Sequence, residues 1–266
     1  MSLPSLFAEK PIIGVIHLLP LPGSPQYSGG FDAILERAFS EAQIYQRAAV
    51  DGVIIENFND LPFSNQNISR EQLALMASII GQVQREISIP IGVNVHFNDW
   101  TSEVALAFAC KAQFVRVEVF VDTVVTAGGI VEPCCAEVTR YRKALGAERS
   151  VQIWADIHPK YSENLLPVCL QGSAKMAKSA LADAIIVTGE STGIATPLND
   201  IRSVKAVVDL PIFAGSGVSL KNVQETLAIA DGAIVGSAFK FDGNVHNQVS
   251  EERVAEFMNV VNQSRR

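Results

Sequence analysis

Three segments in the middle of the chain place polar residues on either side of one apolar residue. They are Asn94-Val95-His96, Arg116-Val117-Glu118 and Asp156-Ile157-His158. Alternate side chains of a strand point to the same face, so the polar members of each segment share a face if the segment is a strand. Neighbouring strands lie roughly 5 Å apart, which brings His96, Glu118 and Asp156 within reach of one another. The predicted catalytic residues are Asn94, His96, Arg116, Glu118, Asp156 and His158.

A carboxylate flanked by imidazole and guanidinium groups suits general acid–base catalysis, because its neighbours tune its pKa. Asp156 and Glu118 are the candidate acid and base. One alternative is a buried ion-pair network in which Arg116 neutralises either carboxylate, although such networks contribute weakly to stability. A second alternative is a metal site that uses His96, Glu118, Asp156 or His158 as ligands. No motif of the HExxH type supports it.

Eight apolar, β-branched runs recur along the chain and are the elements that must position these residues. The predicted strands are Ile12–Ile16, Gly52–Ile55, Ile91–Val95, Phe114–Val119, Val151–Ile157, Ala184–Val187, Ile212–Ala214 and Ala233–Val235. Amphipathic stretches such as Phe31–Ala49, Arg70–Ile87 and Val254–Val261 separate them. Strands that alternate with helices indicate a parallel sheet. Eight units in 266 residues predict an α/β fold, a single (β/α)8 TIM barrel over residues 1–266, with an open doubly wound sheet as the alternative.

Two apolar runs near the end of the chain each stop at small residues. Pro211–Ala214 precedes Gly215-Ser216-Gly217, and Gly232–Val235 precedes Gly236-Ser237. In (β/α)8 barrels, the loops after strands 7 and 8 often present backbone N–H groups to a phosphate, and glycine lets the backbone approach it. The alternative is that these glycines only form tight turns. The predicted phosphate-binding residues are Gly189, Gly215, Ser216, Gly217, Gly236 and Ser237.

Long loops after the predicted strands indicate a covered site. The segment from His17 to Gly30 is longer than most βα loops and contains three prolines. Its leucines either cover a ligand or a partner, or pack as part of an ordinary surface loop. Further loops are predicted at 56–63, 123–129 and 188–193.

No lysine lies inside a predicted strand. Lys160 follows the fifth strand in a loop, and Lys240 lies beyond the glycine that follows the eighth. A Schiff-base aldolase needs a desolvated lysine in the barrel, so this class is disfavoured. No cofactor is predicted, while a flavin, which binds barrels through the same kind of phosphate site, and a divalent metal stay open alternatives.

Composition favours a cytoplasmic protein. The net charge of −7, without a basic cluster, argues against nucleic-acid binding. No apolar run reaches the roughly 18 residues that span a bilayer, and the first ten residues are too short and too weakly apolar for a signal peptide. Cys110, Cys134, Cys135 and Cys169 have no CxxC spacing, so we expect reduced thiols, two of them near a helix start.

Six strings, most of them at predicted strand ends, resemble the BtpA family, which includes SgcQ-like proteins. They are GVIHLLPLPGSPQY, DGVIIENFNDLPF, IPIGVNV, FVRVEVF, TGESTG and ADGAIVGSAFKFDGNVHN. The resemblance covers essentially the whole chain and implies a phosphate-binding (β/α)8 barrel. It also implies two contexts, photosystem I biogenesis at the thylakoid surface and an enzyme that acts on a phosphorylated sugar. Glu118 and the strings at 126–129 and 158–161 depart from the thylakoid-type pattern, which weakens the first context.

Two functions from different classes therefore follow. The first is an enzyme, a lyase or an isomerase, that acts by acid–base chemistry on a phosphorylated small molecule such as a sugar phosphate. The second is a non-catalytic photosystem I assembly factor that is peripheral to thylakoids. Polar groups that converge inside the barrel favour the first. We expect a phosphorylated ligand, no nucleic acid, no membrane insertion and a homo-oligomer.

Overall fold

A closed barrel of parallel strands forms the centre of the computed structural model. The structure describes residues 6–7, 9–65 and 67–265. Residues 1–5, on which the signal-peptide expectation rests in part, lie outside the described residues. Among the residues that are described, no helix combines the length and the hydropathy that crossing a membrane requires.

Eleven strands occur in the described chain. They are β1 (Ile12–His17), β2 (Gly52–Glu56), β3 (Ile91–Asn94), β4 (Phe114–Val117), β5 (Val124–Thr126), β6 (Gly129–Val131), β7 (Gln152–Ile157), β8 (Glu163–Asn164), β9 (Ala184–Val187), β10 (Ile212–Ala214) and β11 (Gly232–Val235). The barrel order is β1-β2-β3-β4-β7-β9-β10-β11, and β11 pairs with β1 to close it. All eight predicted strands occur, although β3 ends one residue and β4 two residues before the predicted end, so that His96 and Glu118 follow these strands. Closure of the barrel excludes the open sheet.

A helix follows each barrel strand and covers its outer face. The helices are α1 (Phe31–Arg47), α2 (Arg70–Glu86), α3 (Trp100–Cys110), α4 (Cys135–Ala144), α5 (Leu170–Ser179), α6 (Leu198–Lys205), α7 (Val223–Ile229) and α8 (Glu251–Ser264). Local sequence sets their starts. Ser69, for example, begins α2 with a capping box, because its hydroxyl accepts from the Gln72 amide and the Gln72 side chain accepts from the Ser69 amide.

Apolar side chains fill the barrel below its carboxyl-terminal mouth. Trp154 stacks between Phe114 and Phe213, with ring centroids 4.1 and 4.2 Å apart, and we call these three rings the aromatic plug. Gly92 makes room for it, because an added Cβ would overlap the Phe114 ring. The plug closes the floor of the barrel, so the polar residues farther along the strands lie at its mouth.

A three-stranded antiparallel sheet, in the order β6-β5-β8, lies outside the barrel. The prediction of a loop over 123–129 is wrong, because this stretch contains β5 and the first residue of β6. β8 comes from the segment after β7 and pairs with β5, Val124 opposite Asn164. The segments that follow β4 and β7 are therefore joined by hydrogen bonds.

The proline-containing segment after β1 is packed against the barrel. Leu18 and Leu21 are buried in the main core, and the Leu21 amide donates to Asp60 Oδ1 at 2.7 Å. The Asn59 side chain donates to the Leu18 carbonyl oxygen at 2.7 Å. For these two leucines the packed-loop interpretation is confirmed, and the interpretation as a cover for a ligand or a partner is wrong.

The four cysteines are free thiols. Cys134 and Cys135 lie at the first residues of α4, as predicted for this pair. Burial raises the pKa of the Cys134 thiol, which keeps it protonated at neutral pH.

Candidate active site

Four buried side chains form a continuous chain across the barrel mouth. His17 and Glu56 end the neighbouring strands β1 and β2 and stand opposite each other in the parallel register. His17 Nε2 lies 3.1 Å from Glu56 Oε1, His96 Nε2 lies 3.7 Å from the same oxygen, and His96 Nδ1 lies 3.0 Å from Glu118 Oε2. Imidazole and carboxylate groups thus alternate from β1 to the end of β4.

The protonation states of this chain follow from burial and from its neighbours. Burial alone lowers the pKa of His96, but Glu118 and Glu56 raise that pKa to about 10. Burial lowers the pKa of His17, despite Glu56 beside it. Burial alone raises the pKa of Glu56, but His17 and His96 hold it well below its usual range. At neutral pH the cluster therefore contains an imidazolium at His96, a neutral imidazole at His17 and a carboxylate at Glu56.

Arg116 and Asp156 form a separate, bidentate ion pair at the mouth. Arg116 Nε and Nη2 donate to the two carboxylate oxygens of Asp156 at 3.0 and 2.8 Å, and both side chains are buried. Burial raises the pKa of Asp156, and the guanidinium only partly offsets it. The ion pair of the alternative interpretation is thus observed between Arg116 and Asp156. Glu118 contacts His96 instead, so it is the better placed of the two predicted acid–base carboxylates.

Asn94 and His158 make their contacts away from this cluster. The Asn94 side chain donates to Glu103 Oε1 at 3.1 Å and to the Arg116 carbonyl oxygen at 2.9 Å, so it joins β3 to α3 and β4. The His158 amide donates to Asp122 Oδ2, and its buried Nε2 has no partner in the described chain. The predicted catalytic residues that meet at the mouth are His96, Arg116, Glu118 and Asp156.

Metal ligation finds no support in this geometry. No three side chains of His, Cys, Asp or Glu are grouped to hold a metal ion in the part of the chain that the structure describes. Among the predicted ligands, Asp156 is engaged by Arg116 and Glu118 by His96.

A small cavity, which we call the inner pocket, lies where the ends of β10 and β11 meet the cluster. Its lining residues are Val15, His17, Glu56, Arg116, Lys160, Thr192, Gly193, Gly215, Ser216, Gly217, Val218, Ile234, Gly236 and Ser237. Five of the six residues predicted to bind phosphate are among them. The exception is Gly189, which lies behind the wall and donates its amide to Ser216 Oγ at 2.6 Å.

The predicted phosphate-binding residues differ in what they can donate. The Gly215 amide is used by the Val187 carbonyl oxygen at 2.8 Å, so Gly215 and Gly189 offer space rather than donors. The amides of Gly217 and Ser237 have no acceptor within the described residues. Gly217 has φ of +63°, and an added Cβ would overlap the backbone of Ala195, so only glycine fits there.

Lys160, like His17 and Glu56, is a site residue that lies outside the predicted catalytic and phosphate-binding sets. It lies in the segment after β7, is half-buried and lines the inner pocket. Its ammonium group has no carboxylate within ion-pair distance in the described chain. Burial lowers its pKa, and the nearby Arg116 lowers it further. Its position two residues after His158, which follows β7, was the only signal in the sequence.

A larger cavity of about 640 Å³ adjoins the inner pocket toward solvent, and we call it the outer cavity. His96 and Glu118 lie in its wall, together with Phe58, Phe63 and Val245. The Phe63 ring stacks on the His96 imidazole with centroids 4.6 Å apart and an interplanar angle of 21°. Cavities of this volume are typical of sites for small molecules.

Sequence comparison relates the whole chain to known proteins. The model of the BtpA family matches residues 8–263. An uncharacterised protein of Pyrococcus abyssi is 40% identical over 255 residues, which cover 95% of this chain and 96% of the relative. The photosystem I biogenesis protein BtpA of Synechocystis sp. is 35% identical over 252 residues, which cover 94% of this chain and 87% of the relative.

Structural comparison returns TIM-barrel enzymes. Thiamine phosphate pyrophosphorylase from Pyrococcus furiosus aligns with a TM-score of 0.60 at 15% identity, covering 96% of each chain. Phosphoribosyl anthranilate isomerase from Thermus thermophilus aligns with a TM-score of 0.59 at 12% identity, covering 95% of this chain and 98% of the enzyme. At these identities the likeness establishes the barrel fold alone. The sequence matches, which extend over nearly the whole length, show that the chain belongs to the BtpA family.

Proposed function

We propose that the protein is an enzyme that performs acid–base chemistry on a phosphorylated small molecule such as a sugar phosphate. The proposal rests on the position of hydrogen-bond donors and acid–base side chains around one pocket. A lysine and two amides that have no partner among the described residues line the inner pocket, and His17 and Glu56 of the imidazole–carboxylate chain line the same pocket. A phosphate held there would place the rest of its molecule beside His96 and Glu118 in the outer cavity.

Phosphate binding is supported by the cations and backbone amides that line the inner pocket. Three carboxylates at the mouth, Glu56, Glu118 and Asp156, face the cations His96 and Arg116. Lys160 is a further cation at the mouth, and burial lowers its pKa. A phosphate favours the ammonium form of Lys160, and the amides of Gly217 and Ser237 donate without losing other partners.

The acid–base step would use Glu118 and His96. We assign Glu118 as the base that removes a proton from the substrate and His96 as the imidazolium that stabilises the negative charge left behind. Return of the proton to another atom gives an isomerase, and loss of a bond next to the same position gives a lyase. Asp156 would hold Arg116 in position through its bidentate contact.

The name of the Synechocystis relative, a photosystem I biogenesis protein, supports the alternative of an assembly factor. A protein that only binds a partner has no need for a buried chain of two imidazoles and two carboxylates, so the mouth favours the enzyme. A cytoplasmic location, a homo-oligomeric state and the absence of nucleic-acid binding stay predictions.

Calorimetric titration with sugar phosphates and the matching free sugars tests the proposal. We expect the wild-type protein to bind phosphorylated members only, and Lys160→Met to weaken that binding roughly 10- to 100-fold, the effect of losing a hydrogen bond from a charged group. Lys175→Met, at an exposed position of α5, is the matched control and leaves affinity unchanged. Equal affinity for phosphorylated and free sugars, or an undiminished affinity of Lys160→Met, contradicts the proposal.

A second measurement addresses catalysis. Each compound that binds is incubated with the protein in D2O, and proton NMR follows the exchange of a carbon-bound proton for deuterium, which we expect to occur. Glu118→Gln keeps the shape of the side chain but cannot accept a proton, so exchange should stop while binding persists. Exchange at the wild-type rate in Glu118→Gln excludes this carboxylate as the base.

A further inference from the structure

The inner pocket and the outer cavity are two compartments of one site with opposite character. They share part of their lining, namely Lys160, Thr192, Gly193 and Ser237, so one molecule can occupy both. The inner pocket presents backbone amides, the cations Arg116 and Lys160, and one carboxylate, that of Glu56. The wall of the outer cavity is mostly apolar, and its volume of about 640 Å³ accommodates a body much larger than a phosphate group.

Aromatic rings form one side of the outer cavity. Phe58 lies edge-on to His17, His96 and Phe63, with centroid distances of 4.8, 5.9 and 6.3 Å. It also lies 6.2 Å from the ring of His246. Phe58 is buried, whereas Phe63 is only partly covered and stacks on His96, so of these two phenylalanine rings that of Phe63 is the more available to a ligand.

These walls suit a planar, apolar ring better than a sugar. Sugar hydroxyls that face Phe58, Phe63, Pro62 or Val245 would lose their hydrogen bonds to water without gaining others, which is unfavourable. An aromatic ring loses no hydrogen bonds there, and aromatic pairs gain from offset or edge-to-face packing.

We propose that the natural ligand is a phosphate monoester joined to a planar, largely apolar ring system. Its phosphate lies in the inner pocket, and its ring lies in the outer cavity against Phe63. The atoms between the two ends pass His96 and Glu118, where the acid–base step takes place. This inference rests on the proposed function, since the phosphate end uses the same inner pocket, and it narrows the substrate class.

Calorimetry with four probes separates the contributions of the two ends. The probes are inorganic phosphate, ribose 5-phosphate, 1-naphthyl phosphate and 1-naphthol. We expect the wild-type protein to bind 1-naphthyl phosphate at least roughly tenfold more tightly than each of the other three, which corresponds to about 1.4 kcal/mol. Binding of ribose 5-phosphate as tight as that of 1-naphthyl phosphate overturns the inference and leaves the proposed function intact.

Substitutions of phenylalanines test where the ring of the ligand lies. Phe63→Ala should weaken 1-naphthyl phosphate at least tenfold while changing inorganic phosphate less than twofold, and Phe63→Leu, which keeps an apolar side chain in place, should give an intermediate loss. Phe108→Ala removes a half-exposed ring on α3 outside the site and serves as the matched control. Equal losses in Phe63→Ala and Phe108→Ala overturn the placement of the ring. Equal binding of 1-naphthol and 1-naphthyl phosphate overturns the proposed function instead, because it shows that the phosphate contributes nothing.

Discussion

Lys240 and Lys160 each follow a barrel strand, and burial lowers the pKa of both, yet their surroundings differ. Lys240 is completely buried behind the barrel, and its Nζ lies 2.9 Å from Glu41 Oε2. Lys160 is half-buried at the mouth, lines both cavities and has no carboxylate within ion-pair distance among the described residues.

The two lysines differ in whether the protein itself supplies partners for the buried ammonium group. Glu41 also accepts from Arg37 Nε and from the Val249 amide, so Lys240 belongs to a satisfied network that ties α1 to the chain before α8. Such a network fills its hydrogen-bonding capacity from within the protein. Within the described part of the chain, the ammonium group of Lys160 has no hydrogen-bond partner and lies beside a cavity, which leaves it available to a ligand.

The largest effect is expected from Lys240→Met. Removing one partner of a buried ion pair leaves the other charge buried and poorly compensated, so the free energy of unfolding should fall by about 3–5 kcal/mol. Urea denaturation measures this loss, with the exposed Lys175→Met as the control. Affinity for inorganic phosphate in the folded protein should not change. A loss of unfolding free energy as small as that of the control would contradict the comparison, because Lys240 would then not stabilise the fold.

A smaller loss is expected from Asp156→Asn, which tests whether a partnered charge at the mouth behaves like Lys240. Arg116 loses one charged partner, but Glu56 and Glu118 still favour its charged form. The free energy of unfolding should fall by about 1.5–3 kcal/mol, the usual worth of a hydrogen bond to a charged group. Asp242→Asn, at an exposed position, is the control for thermal and urea unfolding. Unchanged stability would show that Asp156 serves the ligand rather than Arg116.

The pH dependence of stability tests the charge of His96 at the mouth separately from the network of Lys240 and Glu41. The pKa of His96 is raised from 6.5 to about 10 in the folded protein, so the folded state binds an extra proton between these values. The contribution of His96 is complete below pH 6.5 and is lost as the pH rises toward 10, at up to about 1.4 kcal/mol per pH unit. Urea denaturation at pH 7 and pH 9 should show a steeper decline for the wild-type protein than for His96→Gln. Identical slopes would mean that His96 is neutral in the folded state.

The smallest change in stability is expected from Lys160→Met. No ion pair is broken, and burial already disfavours the charge, so the free energy of unfolding should change by less than about 0.5 kcal/mol. Amine labelling with trinitrobenzenesulfonate extends the comparison. Lys160, with a lowered pKa and access to a cavity, should react at neutral pH before surface lysines, and inorganic phosphate should protect it. Lys240 should not react. Labelling of both at the same rate would remove the distinction between them.

The barrel could be predicted from the sequence because each strand is a continuous apolar, β-branched run between amphipathic helices. The small sheet could not, since β5 and β6 have three residues each and β8 has two, too few for periodicity to appear. The pairing of β5 with β8 joins segments that are far apart in the chain, and only the folded barrel brings them together.

For the site, the sequence predicted which residues form the polar layer at the mouth but not which of them contact one another. His17 and Glu56 were not among the predicted site residues, although they end consecutive parallel strands and their contact follows from that register. The choice of Arg116 to pair with Asp156 rather than Glu118 depends on side-chain placement across β4 and β7. The burial of Lys160 is a tertiary effect that loop sequence does not encode.

The aromatic plug has a kinetic consequence. Because Phe114, Trp154 and Phe213 close the floor, a ligand approaches the inner pocket through the outer cavity. Val15 and Ile234, which also belong to the apolar interior of the barrel, form part of the inner pocket, so in the proposed binding mode the phosphate end is the deeper one. A molecule that enters phosphate-first leaves phosphate-last. If a bond is cleaved between its two ends, the fragments depart in a compulsory order, and the phosphorylated product is the one that competes with the next substrate.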